Sequence, residues 1–210
     1  MLKAETLKQC RKCPRLVAFR EETKRRYPDY FCLPVPAFGT DDAKIVIVGL
    51  APGLHGANAT GRPFTGDFAG LLLYRTLHRL GLSNQAEASA LDDGLELRGC
   101  RITNAVKCVP PGNKPTTAEI ETCAPYLKTE LAGQPSGGVI IALGRIAHDA
   151  VLRALSTPLA RHRFGHGVRH EVRDRIMWDS YHCSRYNTQT KRLTEASFVA
   201  VFEAALREVS

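Results

Sequence analysis

The chain has 210 residues, 44% of them hydrophobic, an ordinary globular composition with enough length for one domain and a sizeable core. Its net charge of +8 favours a polyanionic partner, most often nucleic acid. No run approaches the ~18 apolar residues of a membrane span, and Met1 to Lys8 lacks the apolar stretch of a secretory signal, so no membrane partner and a cytoplasmic location are expected.

Seven cysteines in a reducing compartment point to metal ligation more than to disulfides. The first two form Cys10-Arg11-Lys12-Cys13, a hook whose two thiolates can face one point in a tight turn. A redox dithiol is the rival, but no strand precedes the pair. Leu16 to Arg26 reads as a helix, very basic around Arg20, Lys24, Arg25 and Arg26. Pro28, Pro34 and Pro36 then forbid a regular element. Cys32 lies in that loop and reads as a buried apolar residue, not a ligand.

Lys44-Ile45-Val46-Ile47-Val48 is a β-branched run of the kind that fills a strand buried on both faces. It runs into Gly49-Leu50-Ala51-Pro52-Gly53 and then Gly61-Arg62-Pro63-Phe64-Thr65-Gly66-Asp67. Phe68, Leu72, Leu73, Leu77 and Leu80 recur at helical spacing, and Gly81 is placed to stop that helix. Strand, glycine-rich loop, helix is the arrangement that seats ligands at the carboxyl ends of parallel strands. Neither the phosphate-loop signature nor the dinucleotide fingerprint is present, which argues against enzymes of either class.

Residues 82–99 are polar and acidic and read as a variable connection, with a turn at Asp92-Asp93-Gly94. Arg101 to Val106 is the second strand, leading into Lys107-Cys108-Val109-Pro110-Pro111-Gly112-Asn113-Lys114-Pro115. Thr116 and Glu119 form a capping box that opens a helix with Ile120, Cys123, Leu127 and Leu131 on one face. Cys10, Cys13, Cys108 and Cys123 thus offer four thiolates as C-x2-C and C-x14-C. Zinc and an iron–sulfur cluster both accept four cysteines, and spacing does not decide between them.

Gly138 to Leu143 is the third strand, followed by a helix with Ala147, Val151 and Leu155 inward. Residues 156–175, which include Arg161 and Arg163, read as an exposed hairpin or loop: a solvated face by default, a DNA-backbone contact in the sharper reading. Ile176 to Tyr181 is the fourth strand, ending at His182, and the last helix starts near Thr194. Strands alternating with helices predict one doubly wound α/β domain over residues 1–210. Its strand ends bring Phe64, Asp67, Asn104 and His182 to one sheet edge, where they would suit a flat polar ring.

The segments G-L-A-P-G, G-R-P-F-T-G-D, T-N-A-V-K-C-x-P-P-x-N-K-P, A-L-G-R and Y-H-C-S-R-Y-N-T-Q-T, in that order, resemble the uracil-DNA glycosylase superfamily. With the four cysteines they resemble its iron–sulfur families 4 and 5. Leu50 and His55-Gly56-Ala57-Asn58 look more like family 5, the type b enzymes, because family 4 usually has an acidic residue where Leu50 stands. The resemblance implies a three-layer α/β/α sandwich around a four-stranded parallel sheet and a [4Fe–4S] cluster on Cys10, Cys13, Cys108 and Cys123. It implies the first step of base-excision repair on DNA, by a monomer of the prokaryotic cytoplasm and nucleoid.

It places a flipped base against Phe64, with Leu50 and Gly53 beside it and Asn104 reading its edge. It gives His182 the pyrimidine O2, makes Asp67 the group that orients water, and adds Asn58 as a catalytic candidate. Ser184, Arg185, Tyr186 and Asn187 would enter the DNA. Since a leucine cannot orient water, the burden passes from Leu50 to Asp67 or to leaving-group stabilisation by His182. Such an enzyme is expected to accept hypoxanthine or xanthine besides uracil. The alternatives are a family 4 enzyme restricted to uracil, and a non-catalytic metal-stapled nucleic-acid-binding protein, which leaves the convergence of Phe64, Asn104, Asp67 and His182 without a reason.

Overall fold

The computed structural model describes residues 4–209. Four strands form the centre of the sheet: β2 (Ile45–Gly49), β3 (Cys100–Asn104), β4 (Val139–Leu143) and β6 (Arg175–Ser180). They are parallel and lie in the order β3-β2-β4-β6. β2 and β4 are buried at every position, as their unbroken β-branched runs require. Two antiparallel edges, β1 (Phe38–Gly39) and β5 (Arg169–Val172), extend the sheet to six strands. The expected four-stranded parallel sheet is therefore the core of a larger mixed one. The edges were hidden because β1 is only two residues long and β5 carries polar side chains on its exposed face.

Alternation along the strands divides the core. Ile45, Ile47, Ile102, Val139 and Ile141 face α4 (Phe68–Arg79) and α8 (Glu195–Arg207), packing on Leu73, Leu77, Phe198 and Phe202. Val46, Val48, Ile140 and Ala142 face the other way, onto Leu127 and Leu131 of α5 (Thr117–Ala132) and Ala147 and Val151 of α6 (Arg145–Ala154). Each fully buried side chain of this kind contributes about 1.5–3 kcal/mol relative to exposure. Three layers, helix on sheet on helix, are the result.

The remaining helices serve the sheet's upper rim and one corner. They are α1 (Ala4–Lys8), α2 (Pro14–Arg26), α3 (Ala57–Thr60) and α7 (Arg185–Gln189). The predicted capping box is formed: Thr116 Oγ1 accepts from Glu119 N at 3.3 Å and Glu119 Oε2 accepts from Thr116 N at 2.8 Å. The same carboxylate receives Arg15 at 2.8 and 2.7 Å, which ties α2 to the start of α5. No helix among the described residues is long and apolar enough to cross a membrane.

Candidate active site

The loop from β2 to α4 is held in a shape that only its glycines permit. Phe64 has a left-handed φ of 54°, costly for an aromatic residue. A Cβ on Gly70 would meet the Phe64 carbonyl oxygen at 1.8 Å, so α4 can approach the strained residue only as glycine. A Cβ on Gly49 would lie 2.4 Å from Asn104 Oδ1 and 2.7 Å from Phe64 Cζ. The strand end is thus bare where ring and amide meet.

Above it lies a cavity of about 310 Å³. Its walls include Leu50, Gly53, Phe64, Asp67, Asn104 and His182, six of the residues singled out above. Phe64 and His182 lie with ring centroids 5.8 Å apart and planes inclined by 28°. Asn104 pairs in register with Gly49 at the end of β3 and is buried. Its Oδ1 has no partner within the protein. A buried acceptor left unpaired costs about 1–3 kcal/mol, and one on a cavity wall is an acceptor reserved for a ligand.

Asp67 caps α4, its Oδ1 accepting from Gly70 N at 2.9 Å. Burial raises its pKa above the usual carboxylate value against the opposing pull of the cap bonds. Its other oxygen is hemmed in by backbone: a Cβ would stand 3.3 Å from Oδ2 at Gly53 and 2.5 Å at Gly56. His182 is pulled down to about 4 by burial, so the imidazole is neutral at pH 7 and donates from one nitrogen only. Asn187 Nδ2 holds the His182 carbonyl at 2.8 Å.

Asn58 is not on the cavity wall. It is fully buried in α3, where Nδ2 donates to Leu54 O at 3.4 Å and Cys32 Sγ at 3.5 Å, although its Oδ1 has no partner. Its geometry supports the Leu54–Ala57 turn that brings Gly53 and Ala57 to the site. Cys32 is buried, as expected. The connection 82–99 anchors the loop. Asp93 accepts from the buried Arg62 at 2.8 and 2.5 Å and from the amides of Ser89, Ala90 and Leu95, which hold its carboxyl far below the usual range. Arg62 Nε in turn donates to Thr65 Oγ1 at 2.8 Å, bracketing Phe64.

At the mouth, Ser184 caps α7 and lines the cavity, and Asn113 lines it from the proline-rich loop, a residue the sequence reading passed over. Arg185 lies over the Phe68 ring at 5.1 Å, and Tyr186 is 70% exposed. Arg161 and Arg163 are exposed but do not line the cavity. Their segment climbs the sheet's outer flank, from Ser156 beside Arg173 to Gly165 beside Asp179.

The four cysteines Cys10, Cys13, Cys108 and Cys123 line one small void of about 20 Å³ in a corner packed by Leu7, Leu16, Val106 and Tyr126. Burial raises the Cys13 thiol and pushes Cys108 up to about 12 and Cys123 up to about 11, so an approaching cation would be needed to hold them as thiolates. The Lys107 backbone N–H donates to Cys123 Sγ at 3.3 Å. Arg20, buried nearby, donates to the Cys10 carbonyl at 3.1 Å and keeps an unpartnered Nε. Among the described residues no three of these sulfurs lie within 4.8 Å of one another. Tetrahedral zinc, with Zn–S near 2.3 Å, would draw its sulfurs to about 3.8 Å. The donor set is that of a four-thiolate group.

The sequence model described as the uracil DNA glycosylase superfamily matches residues 36–206. The chain is 47% identical over 209 residues to a type-5 uracil-DNA glycosylase of Thermus thermophilus, covering 97% of this chain and 95% of that protein. To a type-5 enzyme of Pyrobaculum aerophilum it is 42% identical, over 95% of this chain and 88% of that one. A type-4 uracil-DNA glycosylase of Archaeoglobus fulgidus is 38% identical over 140 residues, 66% of this chain and 56% of its own length.

Proposed function

The chain belongs to the uracil DNA glycosylase superfamily, and we propose that it hydrolyses the N-glycosidic bond of uracil in DNA after flipping the nucleotide into the cavity beside Phe64. The observation that carries this reading is the orphaned Oδ1 of Asn104, buried on a wall shared with Phe64 and His182. Uracil N3–H is a donor matched to that acceptor, and O4 is an acceptor matched to the amide Nδ2. A base in a duplex cannot be reached, so flipping is required.

When the bond between N1 and C1′ breaks, negative charge grows on the base and positive charge on the sugar. His182, neutral, offers one N–H to pyrimidine O2 without bringing a cation into the site. Asp67, which lines the cavity, orients the water that adds to C1′ and opposes the sugar's charge. Leu50 on the wall adds no such group, so departure of the base carries much of the barrier. Hypoxanthine and xanthine, whose anions leave well, are therefore included in the substrate range, and normal bases are not.

Cys10, Cys13, Cys108 and Cys123 are assigned to a [4Fe–4S] cluster, which would staple α2 to β3 and α5 and supply no chemistry at the cavity. The four cysteines gathered in one corner and the Lys107 amide on Cys123 support this. Cys108→Ser is expected to give unstable or insoluble protein. A colourless, zinc-loaded, fully active wild type would reject the cluster. The function itself is tested by alkaline cleavage of oligonucleotides carrying uracil, hypoxanthine or xanthine: strand breaks at these positions are expected, and none at uracil overturns the proposal.

A further inference from the structure

Three aromatic rings outside all the core clusters stand together beside the site. Tyr27 closes α2, and its ring stacks on Tyr30 with centroids 4.6 Å apart and planes 13° from parallel. His55 meets both rings edge-on, at 5.6 and 5.9 Å, and its Nδ1 lies 2.8 Å from Tyr30 Oη. The rings are fixed to the cavity wall. His55 sits in the loop between Gly53 and Ala57, both of which line the cavity. Phe31 N and Cys32 N donate to the α3 carbonyls of Ala59 and Asn58 at 2.9 and 3.0 Å.

The surroundings are cationic. Arg26 lies over Tyr27 at 5.5 Å, Lys24 donates to the Tyr30 carbonyl at 2.5 Å, and Arg25 is exposed in the same last turn of α2. A prestacked ring pair, immobilised by a hydrogen bond and flanked by a guanidinium and an ammonium group, is an arrangement with which proteins bind single strands: every base offers a π face, and each phosphate offers a charge. Bases inside a duplex offer no free face.

We propose that Tyr27, Tyr30 and His55 form a stacking platform for an unpaired base flanking the nucleotide in the cavity, with Arg25 and Arg26 on its phosphates. The proposal rests on the DNA reading of the cavity and adds a second contact point on the same strand.

The test uses the full-length protein and single-stranded oligonucleotides carrying uracil, with 2-aminopurine placed in turn at each flanking position. Binding by the wild type should quench emission at one or two positions on one side only. Tyr27→Leu with Tyr30→Leu, which keeps apolar bulk but removes the π faces, should abolish that quench and raise Kd about tenfold. Persistence of the quench, or a Kd changed less than twofold, overturns the platform. Arg26→Gln is a surface change that leaves the core intact. It should lower the slope of log affinity against log salt by about 0.7, and an unchanged slope counts equally against the proposal. Uracil release is scored in the same samples. Binding and quenching without release would sink the glycosylase reading and leave the platform standing.

Discussion

Two buried polar groups lie near the upper rim of the sheet, and they are finished differently. Around the cavity, Asn104 Oδ1 has no partner, Asp67 is a desolvated carboxyl, and Phe64 sits in a strained backbone conformation. On the flank, Asp179 accepts from His148 Nδ1 at 2.7 Å, from His170 Nε2 at 2.8 Å and from Gly165 N at 3.2 Å. His148 Nε2 faces the His162 carbonyl at 3.0 Å. Both His148 nitrogens thus face acceptors, which requires an imidazolium, two donors paired with an adjacent carboxylate. Burial pulls its pKa down, but the hydrogen bond and charge of Asp179 outweigh this and the net shift is upward. His148, His170 and Asp179 have ligand-type atoms within 4.8 Å, as a metal site would, yet the contacts have hydrogen-bond lengths filled by protons. The flank is a completed network that holds the 156–168 segment; the cavity is an incomplete one that waits for a ligand.

Two aspartate substitutions break that contrast from opposite sides. Asp179→Asn leaves a buried imidazolium without its counter-charge and should cost about 3–5 kcal/mol of stability, read by urea unfolding, with activity per folded molecule retained. Asp67→Asn should do the reverse. Asparagine is as good an N-cap as aspartate, so stability should hold, while turnover falls on the order of 10²-fold. Should Asp67→Asn unfold the protein, or Asp179→Asn silence it without destabilising it, the division of labour is wrong.

Phe64→Ala sharpens the comparison at a smaller scale, with about 1–3 kcal/mol lost from base binding as the stacking surface disappears. Because φ is 54° there, Phe64→Gly should be more stable than Phe64→Ala while equally poor at binding. Equal stability of the two would mean that the left-handed conformation carries no strain.

The cavity was legible in the sequence because its residues end strands or open a helix: Asn104 ends β3, His182 follows β6, and Asp67 caps α4. Local runs such as Ile45–Val48, and Thr116 with Glu119, announce these ends without knowledge of the fold. The flank network was not legible. Asp179 lies inside a largely apolar strand, His148 on an amphipathic helix and His170 among surface arginines, so only the folded sheet brings them together. The Arg62–Asp93 pair escaped for the same reason, since 31 residues separate its partners. The basic tract around Arg161 and Arg163 is exposed on the outer flank, and charge alone does not tell such a flank from a cavity mouth.

The smallest expected effect is a pH dependence of opposite sign at the two histidines. His182 is pulled from 6.5 to about 4, so between those values the unfolded chain binds a proton that the folded protein refuses. Stability therefore rises with pH across that window, and His182 alone should cost about 1 kcal/mol at pH 5.5 relative to pH 7.5. His148 is raised, so its contribution is complete below the unfolded value and is lost as pH climbs through its folded value. Urea midpoints of His182→Gln should show a shallower acid slope, the remainder belonging to His166, which burial also lowers, and those of His148→Gln should lose the alkaline one. If His182→Gln keeps the full acid slope, then His182 is protonated in the folded protein. A cation would then stand beside pyrimidine O2, and the neutral single-donor role assigned to it in base departure would fall with the stability argument.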